Sequence, residues 1–165
     1  MQEETEFLGH TISKDGISTS AGLVKAIREW PRPTSIKDVQ QFLGLAQFYQ
    51  TYIDKFAQIA LPLSQLLAGG ATFSWDNDKE QAFLTLKAAV CSAPVLRIFD
   101  PDLLTTVETD ASGFAIGAVL FQTDASGVSR PVAFTSRKLQ PAEKNYPTHE
   151  QELLAVVHAL RTWRS

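Results

Sequence analysis

The chain has 165 residues, of which 44% are hydrophobic and 20% charged, an ordinary composition for a globular protein of one or two domains. No apolar run reaches the ~18 residues that a membrane span needs, so no membrane partner is expected. The formal net charge of −3 excludes a protein that is basic overall, so any binding of nucleic acid must use local basic patches.

The first part of the chain predicts a hairpin followed by helices. Residues 6–19 alternate in part and carry a turn signal at Lys14-Asp15-Gly16. A brief helical or irregular stretch is predicted over 23–30, before the proline-rich break at 31–33. The tetrad Ser35-Ile36-Lys37-Asp38 reads as a capping box, and apolar residues at helical spacing predict a helix from there to Tyr49 or Gln50.

Two further helices are predicted before the pattern changes to strands. One lies around 60–67 and ends near Gly69-Gly70, and the other follows Asp76, which is a suitable N-cap. Strands are predicted over 104–109, 114–122 and 130–136. Short turns join these three strands, so the pattern indicates an antiparallel meander.

The last predicted helix has Thr148 as its N-cap and an apolar stripe that faces inward. The stripe consists of Leu153, Val156, Val157, Leu160 and Trp163.

Two carboxylates are the candidate chemical groups. Asp110 closes the first strand of the meander, and Glu152 lies one turn into the last helix. If that helix crosses the sheet, the two groups could share divalent metal ions, since Mg²⁺ prefers oxygen ligands and paired metals hydrolyse phosphodiesters. Alternatively, Asp110 caps a turn and Glu152 interacts with the positive end of the helix dipole. Spacing alone favours this second interpretation.

Six motifs in order change that weighting. The motifs are Phe7-Leu8-Gly9-His10, Trp30-Pro31-Arg32-Pro33-Thr34, Phe42-Leu43-Gly44-Leu45, Ser92-Ala93-Pro94-Val95-Leu96, Thr109-Asp110-Ala111-Ser112 and Glu152-Leu153-Leu154-Ala155-Val156. Together they closely resemble the Pol polyprotein of gypsy-type LTR retrotransposons, from the end of the reverse transcriptase into its ribonuclease H domain.

The resemblance implies an α+β fold with four segments. A helical thumb-like half precedes a truncated ribonuclease H-like domain, which is an antiparallel three-stranded meander with one helix. The segments are residues 1–20, the end of the polymerase palm with a primer-grip-like hairpin; 21–70, a thumb-like helical region; 71–102, a connecting helix and linker; and 103–165, a partial ribonuclease H-like domain.

The resemblance also implies the site residues. Asp110 and Glu152 match catalytic, metal-binding carboxylates of ribonuclease H, so the implied cofactor is Mg²⁺, with Mn²⁺ as an alternative. The helix over 35–52 is similar to the thumb helix that follows the minor groove, where Gln40, Gly44, Gln47 and Phe48 match the contacting face. Phe48 is equally a candidate for the helical core. Ser112 is either a contact to the nucleic-acid backbone or a turn residue.

The family activity is RNA-directed DNA synthesis with metal-dependent cleavage of RNA in RNA–DNA hybrids. The chain has no Tyr-x-Asp-Asp motif, and the family's remaining ribonuclease H aspartates would lie beyond residue 165. We therefore expect a truncated chain with weak or absent catalysis by itself. The alternative is a non-catalytic module that binds duplex or hybrid. The expected partners are an RNA–DNA hybrid or a template–primer duplex, and the rest of the polymerase polyprotein, inside the cell.

Overall fold

The computed structural model describes residues 4–164, so residues 1–3 and 165 of the predicted first and last segments lie outside the described part. In chain order, a three-stranded antiparallel sheet is followed by a helical region, by a second three-stranded antiparallel sheet and by one more helix. The predicted α+β class, with its antiparallel meander and following helix, is confirmed. The elements are β1 (Glu4–Phe7), β2 (His10–Ser13), β3 (Gly16–Thr19), α1 (Ala21–Arg28), α2 (Ile36–Phe48), α3 (Phe56–Ile59), α4 (Leu61–Gln65), α5 (Asn77–Cys91), β4 (Leu104–Ala111), β5 (Ala115–Thr123), β6 (Ser129–Lys138) and α6 (Thr148–Thr162).

The first sheet contains the predicted hairpin and one more strand. β2 and β3 pair around the expected turn, and β1 pairs with the other edge of β2. Gly16 has a φ of +135°, and a Cβ at this position would collide with the carbonyl oxygen of Leu96. The collision arises because Ile17 and Leu96 exchange two backbone hydrogen bonds of 2.8 Å, which tie this sheet to the segment before the second sheet.

Two helices begin at the caps that the sequence predicts. The Oγ of Ser35 accepts a hydrogen bond from the backbone N–H of Asp38 at 3.2 Å and caps α2. The Oδ1 of Asp76 accepts one from the N–H of Lys79 at 3.1 Å and caps α5. Both bonds satisfy amide groups that have no partner within the helix.

The helices between these caps are shorter than predicted. The one expected over 35–52 ends at Phe48 and continues as a 3₁₀ turn over Gln50–Tyr52. The one expected around 60–67 corresponds to α4, which follows α3 directly. Pro62 separates the two because it has no N–H to donate to the carbonyl four residues earlier.

The main core lies in the helical region. Phe134 of β6 packs against this core, and α3 packs against β5 and β6, so the second sheet rests on the helices. The core's largest fully buried side chains are Tyr49, Phe42, Ile27, Leu63, Leu86, Val39 and Val90.

The predicted apolar stripe of α6 is wrong for three of its five residues, whereas Val157 and Trp163 are half-buried. The helix packs across β4 and β5, but the side chain of Leu153 is 63% exposed, and Val156 and Leu160 are exposed as well. The buried positions are Gln151, Ala155 and Ala159. Two small alanines let the helix approach the sheet closely, whereas larger side chains would hold it away.

The predicted N-cap of α6 is also wrong. Pro147 occupies the cap position and Thr148 is the first helical residue, with no side-chain cap bond. The carbonyl of Pro147 accepts hydrogen bonds from the N–H groups of Glu150 and Gln151 at 2.9 and 3.1 Å, which places the start of the helix there.

Within residues 4–164, no helix combines the length and the apolar character that crossing a bilayer requires.

Candidate functional site

Asp110 lies inside β4, which continues to Ala111, two residues beyond the strand predicted over 104–109. It pairs with Gly117 of β5. Ala111 packs against the small cluster that contains Ala155 of α6. Because neighbouring residues of a strand point to opposite faces, the side chain of Asp110 lies on the face away from α6.

The partner of Asp110 on that face is Lys55. The Nζ of Lys55 lies 3.0 Å from Oδ2 of Asp110, and both side chains are about half exposed. The hydrogen bond to Asp110 raises the pKa of Lys55, and the negative charge of Asp110 adds to this effect. Lys55 has a φ of +54°, in the left-handed region that a lysine seldom occupies. The candidate metal ligand is therefore already paired with a cation of the protein.

Two more hydrogen bonds hold the segment 55–58 against the second sheet. The backbone N–H of Ala57 donates to Oγ of Ser136 at 2.9 Å. The side-chain amide of Gln58 donates to Oγ of Ser112 at 3.2 Å. With the Lys55–Asp110 pair, these bonds connect the segment to β4, to the turn after it and to β6.

Ser112 has a turn geometry. Its hydroxyl donates to the carbonyl of Ala115 at 2.9 Å and accepts from the N–H of Ala115 at 3.1 Å. These bonds close the turn between β4 and β5, so the hydroxyl is engaged within the protein. A contact from Ser112 to nucleic acid stays a prediction.

Glu152 lies on the exposed side of α6. Its backbone is positioned by the packing of α6 on β4 and β5, as the proposed geometry requires. Asp110, however, points to the opposite face of the sheet, where Lys55 binds it. The structure therefore does not direct these two carboxylates toward a common point.

The described residues do not fit the pair of Mg²⁺ ions that the resemblance implies. Such a site needs several oxygen donors that converge on each ion. Within residues 4–164, no three His, Cys, Asp or Glu side chains are grouped so that they could hold a metal. Asp54 and Glu108 line the same cavity of about 240 Å³ as Asp110, but Lys55 lines it too.

The predicted nucleic-acid face of α2 is a continuous exposed strip. Gln40, Gly44, Gln47 and Phe48 are all exposed and recur at helical spacing. A Cβ added to Gly44 would meet no atom within 4 Å. The glycine therefore has no packing role inside the protein, and it leaves the backbone of α2 accessible. The opposite side of α2 carries the buried residues Val39, Phe42, Leu43 and Ala46.

Phe48 is not part of the helical core, and its contact with nucleic acid stays a prediction. Its side chain is 48% exposed, and its ring stacks on the ring of His10 with centroids 5.0 Å apart. His10 also stacks on Tyr52, and its Nδ1 lies 2.7 Å from the hydroxyl of Tyr52. Sequence reasoning did not assign a role to this histidine, because no local pattern marks a contact between residues that are 42 positions apart.

A cleft of about 580 Å³ lies beside this face, between the helices and the second sheet. Gln47 lines this cleft, so the exposed strip on α2 borders the cleft directly. Arg137 binds Glu143 through two hydrogen bonds of 2.8 and 2.9 Å. Burial lowers the pKa of Lys138, and the nearby charge of Lys144 lowers it further. The cleft's polar and charged lining residues are Gln47, Gln50, Ser64, Thr135, Ser136, Arg137, Lys138 and His158.

Residues 75–165 match the family model of the RNase H-like domain found in reverse transcriptase. The retrovirus-related Pol polyprotein from transposon opus of Drosophila melanogaster is 37% identical over 179 residues, covering 100% of this chain. The transposon Tf2-3 polyprotein of Schizosaccharomyces pombe is 34% identical over 163 residues, covering 99% of the chain. The chain spans 17% and 12% of the lengths of these two relatives.

Two solved structures share the fold. A foamy viral protease-reverse transcriptase in complex with dsDNA has a TM-score of 0.82, 23% identity, and coverage of 98% of this chain and 34% of that chain. A foamy viral protease-reverse transcriptase in complex with RNA/DNA hybrid has a TM-score of 0.80, 23% identity, and coverage of 97% and 22%. At this identity the similarity is evidence for the fold alone.

Proposed function

Because this chain belongs to the family of RNase H-like domains found in reverse transcriptases, we propose that it is a duplex-binding part of a gypsy-type retrotransposon Pol polyprotein. Residues 21–70 act as the thumb, and the bound partner is an RNA–DNA hybrid or a template–primer duplex. By itself, the chain has little or no hydrolytic activity toward the hybrid.

The exposed strip on α2 is the observation that carries this proposal. It presents two glutamine amides, which can donate and accept hydrogen bonds, on either side of a glycine that leaves the backbone open. Phe48 adds an aromatic ring that remains half exposed although it stacks on His10. A surface with amides, an accessible backbone and one ring suits the sugars and base edges of a minor groove.

The basic groups near this strip supply attraction to phosphates. The net charge of the chain is −3, so this attraction is local. Arg137 and Lys138 line the cleft that Gln47 opens into, and Lys144 lies close enough to Lys138 to affect its pKa. The polyprotein relatives and the nucleic-acid complexes of the two foamy viral enzymes are consistent with a partner of this class.

The proposal that the chain hydrolyses the hybrid weakly or not at all rests on the surroundings of Asp110. Its carboxylate is paired with Lys55, and Glu152 stands on a helix across the sheet from it. A divalent metal would supply electrostatic stabilisation of the transition state and an activated water when bound. The residues that the resemblance assigns to it are Asp110 and Glu152.

Titration of a fluorescent RNA–DNA hybrid at about 50 mM and about 200 mM salt tests the binding proposal. Affinity should fall with salt, because bound phosphates release counterions. Gln47→Ala should weaken binding about three- to tenfold, the value of one lost hydrogen bond. Gln81→Ala, an exposed glutamine on α5, is the matched control and should bind like the wild type. Undetectable binding by the wild type, or equal effects of the two substitutions, would contradict the proposal.

Cleavage is measured in the same samples with Mg²⁺ and with Mn²⁺. We expect little cleavage by the wild type and by Asp110→Asn. Robust cleavage that Asp110→Asn abolishes would overturn the proposal of weak catalysis. That result would leave the binding proposal standing, because binding is tested separately by the salt titration.

A further inference from the structure

Lys55 places a positive charge where the resemblance would place a metal ion. Its ammonium group lies 3.0 Å from Asp110 Oδ2, a distance typical of a charge-assisted hydrogen bond. Asp54 and Glu108 line the same small cavity, so Lys55 also offsets a surrounding negative charge. The ammonium group and a divalent ion bound to the same carboxylate would repel each other.

We propose that Lys55 is a positioning residue that fixes the Asp110 carboxylate and excludes divalent cations from it. The exclusion depends on the segment 55–58 remaining on the sheet. The Asp110 side chain is about half exposed, so the exclusion acts through the charge of Lys55 and not through burial, and metal binding opposes the contact between the segment and the sheet. This inference goes beyond the binding of nucleic acid and does not depend on it.

The contacts around Lys55 support a fixed position for its side chain. Hydrogen bonds from Ala57 to Ser136 and from Gln58 to Ser112 hold the segment on both sides of the pair. The left-handed backbone of Lys55 has a conformational cost for any residue with a Cβ. A glycine would adopt the same φ without this cost, yet the position holds a long cationic side chain that reaches Asp110.

The left-handed backbone at position 55 also allows a variant that should remain folded. Lys55→Gly removes the ammonium group and relieves the backbone strain, so this variant should fold. Lys55→Met removes only the charge and keeps the aliphatic chain. Lys55→Arg keeps the charge and should restore wild-type behaviour. Lys25→Met removes a charge from the exposed side of α1 and serves as the control for net charge.

The measurement is a titration with Mn²⁺ alone, in which the free ion is followed by its electron paramagnetic resonance signal. The wild type, Lys55→Arg and Lys25→Met should bind Mn²⁺ with equal, weak affinity. Lys55→Gly and Lys55→Met should bind at least tenfold more tightly. Adding Asp110→Asn to either of these two variants should remove the gain.

Thermal melting of each variant confirms that it is folded. Because Lys55→Gly should fold even where Lys55→Met does not, the titration is decisive in either case. The proposal is overturned if Lys55→Gly binds Mn²⁺ like the wild type. It is equally overturned if the tighter binding survives in the double variant with Asp110→Asn. A change in packing alone would alter the melting temperature but would not produce a gain that depends on Asp110.

Discussion

His158 is the residue whose environment most clearly links structure to pH. It lies on α6, and its Nε2 is 3.1 Å from Oγ1 of Thr135. Burial lowers its pKa below the usual 6.5, the positive charge of Arg137 lowers it further, and the charge of Glu143 acts in the opposite direction. The neutral form is therefore favoured in the folded protein. The unfolded chain binds more protons as the pH falls below about 6.5.

The folded protein should consequently lose stability as the pH drops through the pKa of folded His158. Urea unfolding at pH 7.5 and pH 5.5 measures this loss. His158→Gln should reduce the difference between the two pH values, because the titrating group is gone. His149→Gln, at an exposed position of the same helix, is the matched control for the substitution itself. An unchanged difference in His158→Gln would show that another group is responsible.

Single-residue roles were predictable from sequence where they depend on local chemistry. Asp110 was correctly placed in the first strand of the meander, and Ser112 was recognised as a candidate turn residue. The partnership of Lys55 with Asp110 was not predictable, because it joins residues far apart in the chain. The charge state of a candidate site is decided by such contacts, and no motif contains them.

At the scale of elements, α6 illustrates how periodicity can mislead. Apolar side chains nearly surround this helix, so the sequence does not indicate which face is covered. The large residues suggested one face, and the structure buries the face with Ala155 and Ala159. Close packing of a helix on a sheet selects small residues at the contact, which a search for large apolar residues overlooks.

Two substitutions in α6 test this packing. Leu153→Ala should lower the free energy of unfolding by well under about 2 kcal/mol, since the side chain is mostly exposed. If Leu153 were buried in the contact with the sheet, the same substitution would cost about 2–5 kcal/mol. Ala155→Leu should cost about 1–3 kcal/mol, because the larger side chain has no space against the sheet. Chemical denaturation of both variants gives the comparison. A larger loss in Leu153→Ala than in Ala155→Leu would contradict the arrangement of the helix.

The elements with clear end signals were predicted best. Ser35 and Asp76 are helix caps as expected, because a short polar side chain before an apolar pattern satisfies the first free amide groups. The segment between these caps was predicted less well. Its short helices depend on Pro62 and on the left-handed residue Lys55, and the second of these features has no sequence signature.

At the scale of the whole molecule, one large helical core supports a sheet that has only a small cluster of its own. The sheet's cluster contains Ile116, Leu139 and Ala155, whereas Phe134 of the same sheet packs against the helical core. The sequence patterns predict the meander and the helix after it, and the resemblance implies the α+β class. The position of the sheet relative to the helices was not predicted, because it depends on contacts such as those of the segment 55–58.

At the centre of the proposed binding face, Gly44 makes no packing contribution inside the protein. Gly44 lies in the middle of α2, where a glycine destabilises a helix relative to alanine by roughly 0.5–1 kcal/mol. A Cβ at this position would touch nothing inside the protein. If the face binds a duplex, the same Cβ would hold the backbone away from it.

Comparison of Gly44→Ala with the wild type is the most direct test of the proposed function. Stability is measured by urea unfolding, and affinity is measured with the fluorescent RNA–DNA hybrid. Gly22→Ala, at another exposed helical glycine with no atom within 4 Å of the added Cβ, is the matched control. We predict that Gly44→Ala raises stability by roughly 0.5–1 kcal/mol, that Gly22→Ala, in the first turn of α1, raises it by less, and that only Gly44→Ala weakens binding, by about tenfold. Equal affinity of Gly44→Ala, Gly22→Ala and the wild type would contradict binding through α2.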